Sequence, residues 1–265
     1  MNFTKMHGAG NDFVIIEGST EIDYSNMAAS LCKRHFSVGA DGFMVVEHGE
    51  IDGVKMRYYN ADGSIGEMCG NGARCLAMFA YKKGLVDDKS FNLYTLSGKV
   101  HAEIINDSDV RIAMGKPEYD SKFEKYFFNQ RIEIEDKVFN GSYILMGVPH
   151  LTIEVDVLDK DILLEYGPLL EKSEIFSKGA NVNFVEIIND GEINIDTWER
   201  GAGNTLACGT GSLAAAFSLY KLKKLKNKVK INAPGGTLKV IIEEDETVFL
   251  EGNAITAFEG IILGG

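Results

Sequence analysis

The sequence predicts an α+β protein of two pseudo-symmetric halves, each a mostly antiparallel sheet wrapped around a central helix. Short runs rich in Val, Ile, Phe and Tyr outnumber helical segments, and the two kinds of segment do not alternate regularly. A Cys-Gly-x-Gly motif occurs twice, each time before an apolar helix. The length of 265 residues suits one large domain or two of about 100–150 residues.

The predicted strands are apolar and β-branched runs that Gly, Asn and Asp turns separate. They are Asp12–Glu17, Phe43–His48, Val54–Asn60, Phe91–Thr95, Lys99–Ile105, Val110–Ala113, Ser142–Met146, Leu151–Val155, Asn183–Ile188, Ile193–Trp198, Lys228–Asn232, Leu238–Glu243 and Thr247–Leu250. A last strand is expected within residues 255–265, where we expect the chain to return to the first half.

Four segments are predicted to be helical. Ser25–Arg34 and Asp161–Glu171 have amphipathic spacing. Ala73–Lys83 ends at Gly84, where a C-terminal glycine cap is typical. Ser212–Leu222 is the fourth helix.

A single offset of 139 residues relates several landmarks of the chain. It carries Cys69 to Cys208, and it also carries Gly8 to Gly147, Asn11 to His150 and Asn60 to Glu199. Several landmarks at one offset indicate a duplicated fold with a pseudo-twofold relation between its halves. The predicted domains are residues 1–116 together with 255–265, and residues 117–254, with the boundary in the Gly115–Pro117 turn.

Composition excludes several classes of partner. Lys and Arg number 27 against 39 Asp and Glu, so the net charge of −12 disfavours nucleic acid and anionic membranes. The lysine-rich stretch 221–230 is therefore interpreted as a solvated surface, with a nucleic-acid patch as the weaker alternative. No apolar run approaches the ~18–20 residues of a membrane span, and the first residues lack a signal-peptide core. Four cysteines do not make a disulfide scaffold, so we expect a cytoplasmic protein.

Cys69 and Cys208 are the candidate reactive residues. A thiol just before a helix interacts with the helix dipole, and its pKa falls from ~8.5 to ~3.5–7.5 in such settings. The backbone amides that follow form two helix N-termini, and if these face each other they can bind a carboxylate; they belong to Gly70, Asn71, Gly209 and Thr210. Cys32 and Cys75 are interpreted as small buried apolar residues.

Two like thiols on opposite sides of a carboxylate suggest inversion of the adjacent carbon. One thiolate removes the proton from one face, and the other thiol returns a proton to the opposite face. His150 and Glu199 are expected to set the protonation of the two thiols. No cysteine or histidine pair has zinc-site spacing, no lysine lies in a pyridoxal-phosphate motif, and Gly209–Ala214 matches a dinucleotide motif only weakly. The sequence therefore predicts neither a metal nor a cofactor.

Five segments together resemble the diaminopimelate epimerase family: Lys5–Phe13, Asn60–Gly63, Cys69–Arg74, Glu199–Gly203 and Ala207–Gly211. The likeness runs in order over nearly the whole chain. It implies two pseudo-symmetric halves and a cofactor-independent, two-cysteine interconversion of LL- and meso-diaminopimelate, a step toward lysine and cell-wall precursors. It also suggests a homodimer.

Residue roles follow from this resemblance. Cys69 and Cys208 become the acid/base pair, with His150 and Glu199 as their assistants. Two helix N-termini, at Gly70–Asn71 and Gly209–Thr210, cradle the reacting carboxylate. The remaining substrate contacts are Asn11, Asn60, Asn181, Glu199 and Arg200.

Two positions depart from the family pattern. Val148 stands where many members carry an asparagine, and Gly42 where some carry a glutamine. The loss at Val148 favours a first alternative, a cofactor-independent racemase of another amino acid. A second alternative is a non-catalytic carboxylate-binding protein, which would not need the two thiols.

Overall fold

The computed structural model describes residues 1–50, 52–123, 127–176 and 178–263. The chain divides into two compact units, Met1–Ala113 with Glu251–Gly265, and Met114–Leu250. The predicted boundaries after residues 116 and 254 lie three and four residues beyond those of the units. Two domains that are mostly sheet with few helices were expected, and the architecture has that character.

The first unit contains ten strands and two helices among the described residues. The strands are β1 (Asn2–Gly8), β2 (Asn11–Glu17), β3 (Gly42–Glu50), β4 (Gly53–Asn60), β5 (Ile65–Gly66), β6 (Ser90–Thr95), β7 (Gly98–Ile104), β8 (Asp109–Ala113), the end of β17 (Val248–Asn253) and β18 (Ile255–Ile261). The helices are α1 (Ser25–Leu31) and α2 (Gly70–Lys82). Strand β18 pairs antiparallel with β1.

The second unit repeats this order. Its strands are β9 (Phe127–Ile134), β10 (Lys137–Met146), β11 (Val148–Val155), β12 (Asn181–Asn189), β13 (Glu192–Glu199), β14 (Gly203–Thr205), β15 (Lys228–Ala233), β16 (Gly236–Ile242) and the start of β17. Its helices are α3 (Lys160–Glu171) and α4 (Gly209–Lys221).

Strand pairing follows one scheme in each unit. The first hairpin is antiparallel, the next pair is parallel, and then come two antiparallel pairs, a parallel pair and an antiparallel pair. The second unit has the same succession from β10 to β16. Helices α1 and α3 connect the first parallel pairs, and α2 and α4 connect the second.

The offset of 139 residues does not extend to every strand. It holds between β3–β4 and β12–β13, where Phe43 lies opposite Tyr59 and Val182 opposite Trp198. In the parallel pairs, however, Gly42 lies opposite Phe13, whereas Asn181 lies opposite His150. The register therefore makes Phe13 the counterpart of His150, and the predicted match of Asn11 with His150 was wrong by two residues.

The central helices are buried almost throughout. Residues 70–80 of α2 are buried, and so are most residues of α4 from Gly209 to Leu219. Helix α2 packs on β1, β2, β7 and β8, and α4 packs on β10, β11, β12 and β16. Because many residues of both helices are alanine or glycine, their small side chains let the strands pack closely against several sides of each helix.

The predicted element bounds need four corrections. Helices α2 and α4 begin three residues earlier than expected, directly after Cys69 and Cys208, because the thiols themselves cap them. Helix α1 ends at Leu31 rather than at Arg34. Strands β1 and β9 were missed because polar residues interrupt their apolar patterns. The two short strands β5 and β14 were also missed.

The lysine-rich stretch lies on the surface after α4. Four of its lysines form ion pairs, Lys221 with Glu246, Lys224 with Glu154, Lys226 with Asp190, and Lys230 with Glu192. In the described part of the chain, no helix is both long and apolar enough to span a membrane.

Candidate active site

Cys69 is the N-cap residue of α2. Its backbone is extended, with φ −135° and ψ 119°, and its Sγ accepts a hydrogen bond from the backbone N–H of Gly72 at 3.4 Å. Sulfur here takes the place that a Ser or Asp oxygen commonly occupies. Because the Gly72 N–H points toward Sγ at the N-terminus of the helix, negative charge on this sulfur is stabilised.

The Cys69 thiol bonds to one asparagine, which a second asparagine holds in turn. Asn11 Oδ1 accepts from Cys69 Sγ at 3.5 Å and from Asn71 Nδ2 at 3.3 Å. Asn11 Nδ2 donates in turn to Asp41 Oδ2 at 2.8 Å. The predicted site residues Asn11, Cys69 and Asn71 therefore form one hydrogen-bonded group.

An ion-pair cluster anchors Asn11 from the far side. Asp12 pairs with Lys5 at 2.6 Å and with Arg34 at 2.6 Å, and Arg34 also reaches Asp41 at 2.8 Å. Burial works to raise the pKa of Asp12, but hydrogen bonds from Arg34 and Lys5 outweigh it and lower that pKa to about 2. Asp12 is therefore a carboxylate at neutral pH, and its ion pairs fix the start of β2.

Asn60 lies at the end of β4, in the turn before β5. Its Nδ2 donates to Ser64 Oγ at 3.0 Å, and its backbone N–H donates to Ser64 O at 2.8 Å. These bonds hold the Asn60–Gly63 turn, where Gly63 has a φ of 87° and a side chain would overlap the backbone of Ser25.

Cys208 is the N-cap residue of α4 and repeats the geometry of Cys69. Its φ is −108° and its ψ 112°, and its Sγ accepts from the Gly211 N–H at 3.3 Å. The Thr210 hydroxyl lies 3.5 Å from the same sulfur. Cys208 is buried, with 7% of its surface exposed.

His150 lies in the core of the second unit, close to α4. Its Nδ1 lies 3.4 Å from Asn183 Nδ2, and Asn183 Oδ1 accepts from the Thr197 hydroxyl at 3.1 Å. Complete burial, with a smaller effect of Arg200, lowers the pKa of His150 to about 3, so the ring is neutral. Its Nε2 is buried and has no hydrogen-bond partner among the described residues.

Asn181 at the start of β12 lies beside Glu199 and Arg200 at the end of β13, at the end of this hairpin away from its turn. Asn181 Oδ1 accepts from the Arg200 backbone N–H at 2.8 Å, and its Nδ2 donates to Pro149 O at 3.0 Å. Arg200 is exposed and donates to Lys178 O at 2.6 Å, and Glu199 Oε1 accepts from the Thr205 hydroxyl at 2.6 Å. Asn181 thus positions Arg200, a role that the sequence did not indicate.

Three residues of these half-sites were missed: Asp41, Arg74 and Asn183. Arg74 and Asn183 are fully buried polar residues, and Asp41 bonds directly to Asn11. The only sequence signal for Arg74 was its place in the Cys69–Arg74 motif. Among the described residues there is also no His, Cys, Asp and Glu cluster that could hold a metal ion.

Comparison with a family model places the chain in a known group. The model for diaminopimelate epimerase matches residues 3–119 and 142–257. The chain belongs to the diaminopimelate epimerase family. The predicted family and the predicted epimerase activity on diaminopimelate are confirmed.

Relatives cover the chain almost completely. Diaminopimelate epimerase of Caldanaerobacter subterraneus subsp. tengcongensis is 41% identical over an alignment of 272 positions, gaps included, that covers 99% of each chain. That of Alkaliphilus metalliredigens is 38% identical over 276 aligned positions that cover 99% of this chain and 98% of its own.

Distant solved structures share the fold. A phenazine biosynthesis protein of the PhzF family from Bacillus anthracis has a TM-score of 0.74 at 15% identity, covering 99% of both chains. A probable proline racemase from Agrobacterium radiobacter has a TM-score of 0.73 at 15% identity, covering 99% of this chain and 92% of its own. At such low identity these likenesses concern the fold alone.

Proposed function

We propose that this diaminopimelate epimerase interconverts the LL and meso forms with Cys69 and Cys208 as its acid/base pair and with no cofactor. The observation that carries the proposal is the repeated cap: each thiol is the N-cap of a buried helix and accepts the third backbone N–H of that helix. Structural capping alone does not favour cysteine over the usual Ser, Thr, Asp or Asn.

The proton transfers follow from the chemistry of epimerisation. One thiolate takes the α-proton, the electron pair moves toward the substrate carboxylate, and the other thiol delivers its own proton to the opposite face of the carbon. The reverse reaction exchanges the two roles, so both groups must ionise in the same pH range. Two N-capping thiols of one kind meet that demand.

Backbone amides would bind the reacting carboxylate. The helix starts supply N–H donors at Gly70 and Asn71, and at Gly209 and Thr210. Donors fixed in the fold need no reorganisation when charge develops on the carboxylate during proton removal.

His150 and Glu199 are proposed to assist the thiols from the second unit. Since burial lowers the pKa of His150, its neutral ring can accept or donate one proton at Nε2. Glu199 is fixed by the Thr205 hydroxyl and supplies negative charge beside Arg200.

The distal end of the substrate would be bound by five polar residues, Asn11, Asn60, Asn181, Glu199 and Arg200. Arg200 is exposed and can offer further N–H groups of its guanidinium to a carboxylate as a forked pair. Glu199 and the asparagine carboxamides suit an ammonium group. A polar site of this kind leaves buried groups unpaired when a substrate lacks the distal end, and so rejects it.

We place the reaction in the cytoplasm, in the synthesis of lysine and of peptidoglycan precursors. The substrate is the only partner that the proposed chemistry needs, and neither nucleic acid nor membrane is expected to bind. The two halves are proposed to derive from one duplicated half-site, on the basis of their equal strand pairings. A homodimer stays a prediction.

The test is proton exchange in D₂O by NMR, with LL-diaminopimelate offered beside L-lysine, L-glutamate and L-histidine. Exchange and inversion at diaminopimelate alone are expected. Exchange at another amino acid instead would favour the racemase alternative. No exchange in reduced protein, together with binding, would leave a carboxylate-binding protein.

One observation favours the racemase alternative. By register, Val148 is the counterpart of Asn11, and 37% of its surface is exposed. Valine cannot make the side-chain hydrogen bonds that Asn11 makes in the first unit. One such bond contributes about 0.5–1.5 kcal/mol, which can weaken binding of a polar substrate without abolishing it.

A further inference from the structure

Arg74 is a fully buried cation at the start of α2. None of its side-chain surface is exposed, although a charged group almost never lies in a protein interior without a partner of opposite charge. It follows Cys69 by five positions, in the second turn of the helix that Cys69 caps.

The hydrogen bonds of Arg74 go only to uncharged oxygens. Nη2 donates to Asn71 Oδ1 at 2.9 Å, Nε to Asn253 O at 3.4 Å and Nη1 to Gly70 O at 3.5 Å. Among the described residues no carboxylate forms an ion pair with Arg74, in contrast to Arg34 and Arg111, which each bind two. Hydrogen bonds to carbonyl groups satisfy its donors, but they leave its charge uncompensated.

Arg74 interacts with two thiols and, more weakly, with one carboxylate. Cys75, Cys69 and Asp109 interact with it electrostatically, in descending order of strength, and they oppose the large effect of burial on its pKa. Cys75 is excluded as the anion because burial raises the pKa of its thiol to about 12. Cys69 is less buried, accepts a helix N–H and is linked through Asn11 to the Asn71 that Arg74 holds.

The internal repeat indicates that this arginine is not a requirement of the helix start. Cys-Gly-x-Gly also opens α4, and there the position equivalent to Arg74 is Leu213, which is buried as well. A buried helix can thus begin in this way with an apolar residue at that position. The arginine belongs to the Cys69 half-site specifically.

We propose that Arg74 is a positioning residue whose buried charge is the counter-ion of the Cys69 thiolate, acting directly and through the hydrogen-bonded pair Asn71 and Asn11. This inference rests on the proposed acid/base role of Cys69 and adds a residue to it. Ionisation of Cys69 in the free enzyme, or delivery of its proton to the α-carbon, places negative charge on the sulfur beside a preformed cation, and removal of the α-proton by the thiolate neutralises it again. No proton leaves Arg74 in either state.

Other charged groups on the packed elements do not supply this cation. Asp41 reaches Cys69 through Asn11, and Asp109, on β8, interacts with Arg74, so neither carboxylate offers positive charge to the thiolate. Lys5 and Arg34 pair with Asp12 and Asp41, and Arg111 pairs with Glu103 and Glu251. His7, on β1, has a buried Nδ1 with no hydrogen-bond partner among the described residues.

The test is the pH dependence of alkylation by iodoacetamide, followed at Cys69 by mass spectrometry in a Cys208→Ser background. Arg74→Gln, which keeps donors without charge, is expected to raise the midpoint of the Cys69 profile by about one pH unit or more. The rate at pH 7 falls about tenfold with it. Arg74→Lys restores the charge and is expected to bring the midpoint most of the way back.

Cys208 provides the matched control. In a Cys69→Ser background, Arg74→Gln is expected to leave the alkylation midpoint of Cys208 unchanged, because a purely structural defect would not select one thiol. An unchanged Cys69 midpoint in folded Arg74→Gln protein would overturn the proposal. Alkylation uses no substrate, so this failure is distinct from failure of the epimerase assay.

A second measurement needs no change at Arg74. In the Cys208→Ser protein, the ¹⁵Nε signal of Arg74 is expected to shift with pH at the same midpoint as Cys69 alkylation. The shift should vanish when Cys69 is also replaced by Ser. An Arg74 signal that does not respond to the ionisation of Cys69 would contradict the counter-ion role, even if Arg74→Gln fails to fold.

Discussion

The two half-sites begin alike and differ in what surrounds the sulfur. At Cys69 and at Cys208 a thiol caps a buried helix and accepts the third N–H, at 3.4 and 3.3 Å. Around Cys69, however, lie polar and charged groups, Asn11, Asn71 and Arg74. Around α4 the corresponding positions hold Val148, Thr210 and Leu213.

In the second unit, polar residues lie on the strands that pack against α4. Asn183 and His150 occupy the places that Met44 and Phe13 occupy in the first unit. One half-site thus carries its charge on the helix and at the start of β2, and the other carries a neutral imidazole on a strand that packs against the helix. The two half-sites share the cap and differ in the residues that support it, so two thiols of one kind can be tuned separately.

Loss of either thiol is expected to have the largest effect. Cys69→Ser and Cys208→Ser should each lower kcat for epimerisation by about 10²–10⁴-fold, because a serine hydroxyl is a far weaker acid. Substrate affinity, measured by calorimetry, should stay within a few-fold. Cys75→Ala, in the same helix as Cys69, is the control and should keep kcat. Full activity in either serine variant would remove that thiol from the mechanism.

Replacing the glycine at the third helical position is expected to cost more stability in the second half-site than in the first. A Cβ at Gly211 would overlap the carboxamide oxygen of Asn183, which hydrogen bonds hold, whereas a Cβ at Gly72 would lie 3.1 Å from the flexible end of Met44. We expect Gly211→Ala to cost about 2–3 kcal/mol of unfolding free energy and Gly72→Ala less than about 1 kcal/mol. Chemical denaturation measures both, and equal losses would contradict this difference.

Acid should destabilise the protein through His150. Since the pKa of the folded state, about 3, lies below the ordinary value of about 6.5, the unfolded chain binds a proton that the folded chain excludes. Above pH ~6.5 the imidazole is neutral in both states and costs no stability. Below it, the free energy of unfolding falls by about 1.4 kcal/mol per pH unit as the pH decreases toward 3.

The denaturation slope between pH 6.5 and 4.5 tests this sign. His150→Gln should flatten the slope relative to the parent protein, whereas His35→Gln, at an exposed position, should not. The first unit, with Phe13 at the matched position, contributes no such slope. An unaltered slope in folded His150→Gln protein would show that the imidazole is not the titrating group.

The smallest effect concerns the ends of the two helices. Both close with the same pair of backbone hydrogen bonds, from Gly84 and Leu85 in α2 and from Lys223 and Lys224 in α4. The residue in the left-handed conformation is glycine in the first unit, with a φ of 69°, but lysine in the second, with a φ of 61°. Lys223→Gly should therefore stabilise the protein by up to about 1 kcal/mol, and Gly84→Lys should destabilise it similarly. Thermal unfolding of both variants checks the pair; a lower Tm for Lys223→Gly would be the contrary result.

Much of the site could be predicted because it is local in sequence. The Cys-Gly-x-Gly pattern indicated both thiols and the following amides, since glycines and an apolar run mark a buried helix start. The Gly84 cap was visible for the same reason. Such signals depend on a few adjacent residues and need no knowledge of packing.

Long-range relations were not predictable in that way. The pairings β2–β3 and β11–β12 differ in register by two residues, and a fixed sequence offset cannot show such a difference. The offset therefore matched His150 with Asn11, whereas its structural counterpart is Phe13. Strand β9 has exposed polar residues and lacks a clear period. Arg74 and Asn183 gave no sequence sign of complete burial, because burial of a polar residue depends on partners far along the chain.

The measurement that tests the two-thiol claim most directly is the position of deuterium early in the reaction. LL-diaminopimelate in D₂O is stopped at a few per cent conversion, and the α-deuterium content of product and recovered substrate is read by NMR or mass spectrometry. If separate thiols remove and deliver the proton, the meso product carries deuterium while the recovered LL form carries almost none. Deuterium in both, or retained protium in the product, would mean that a single group serves both faces and would contradict the account.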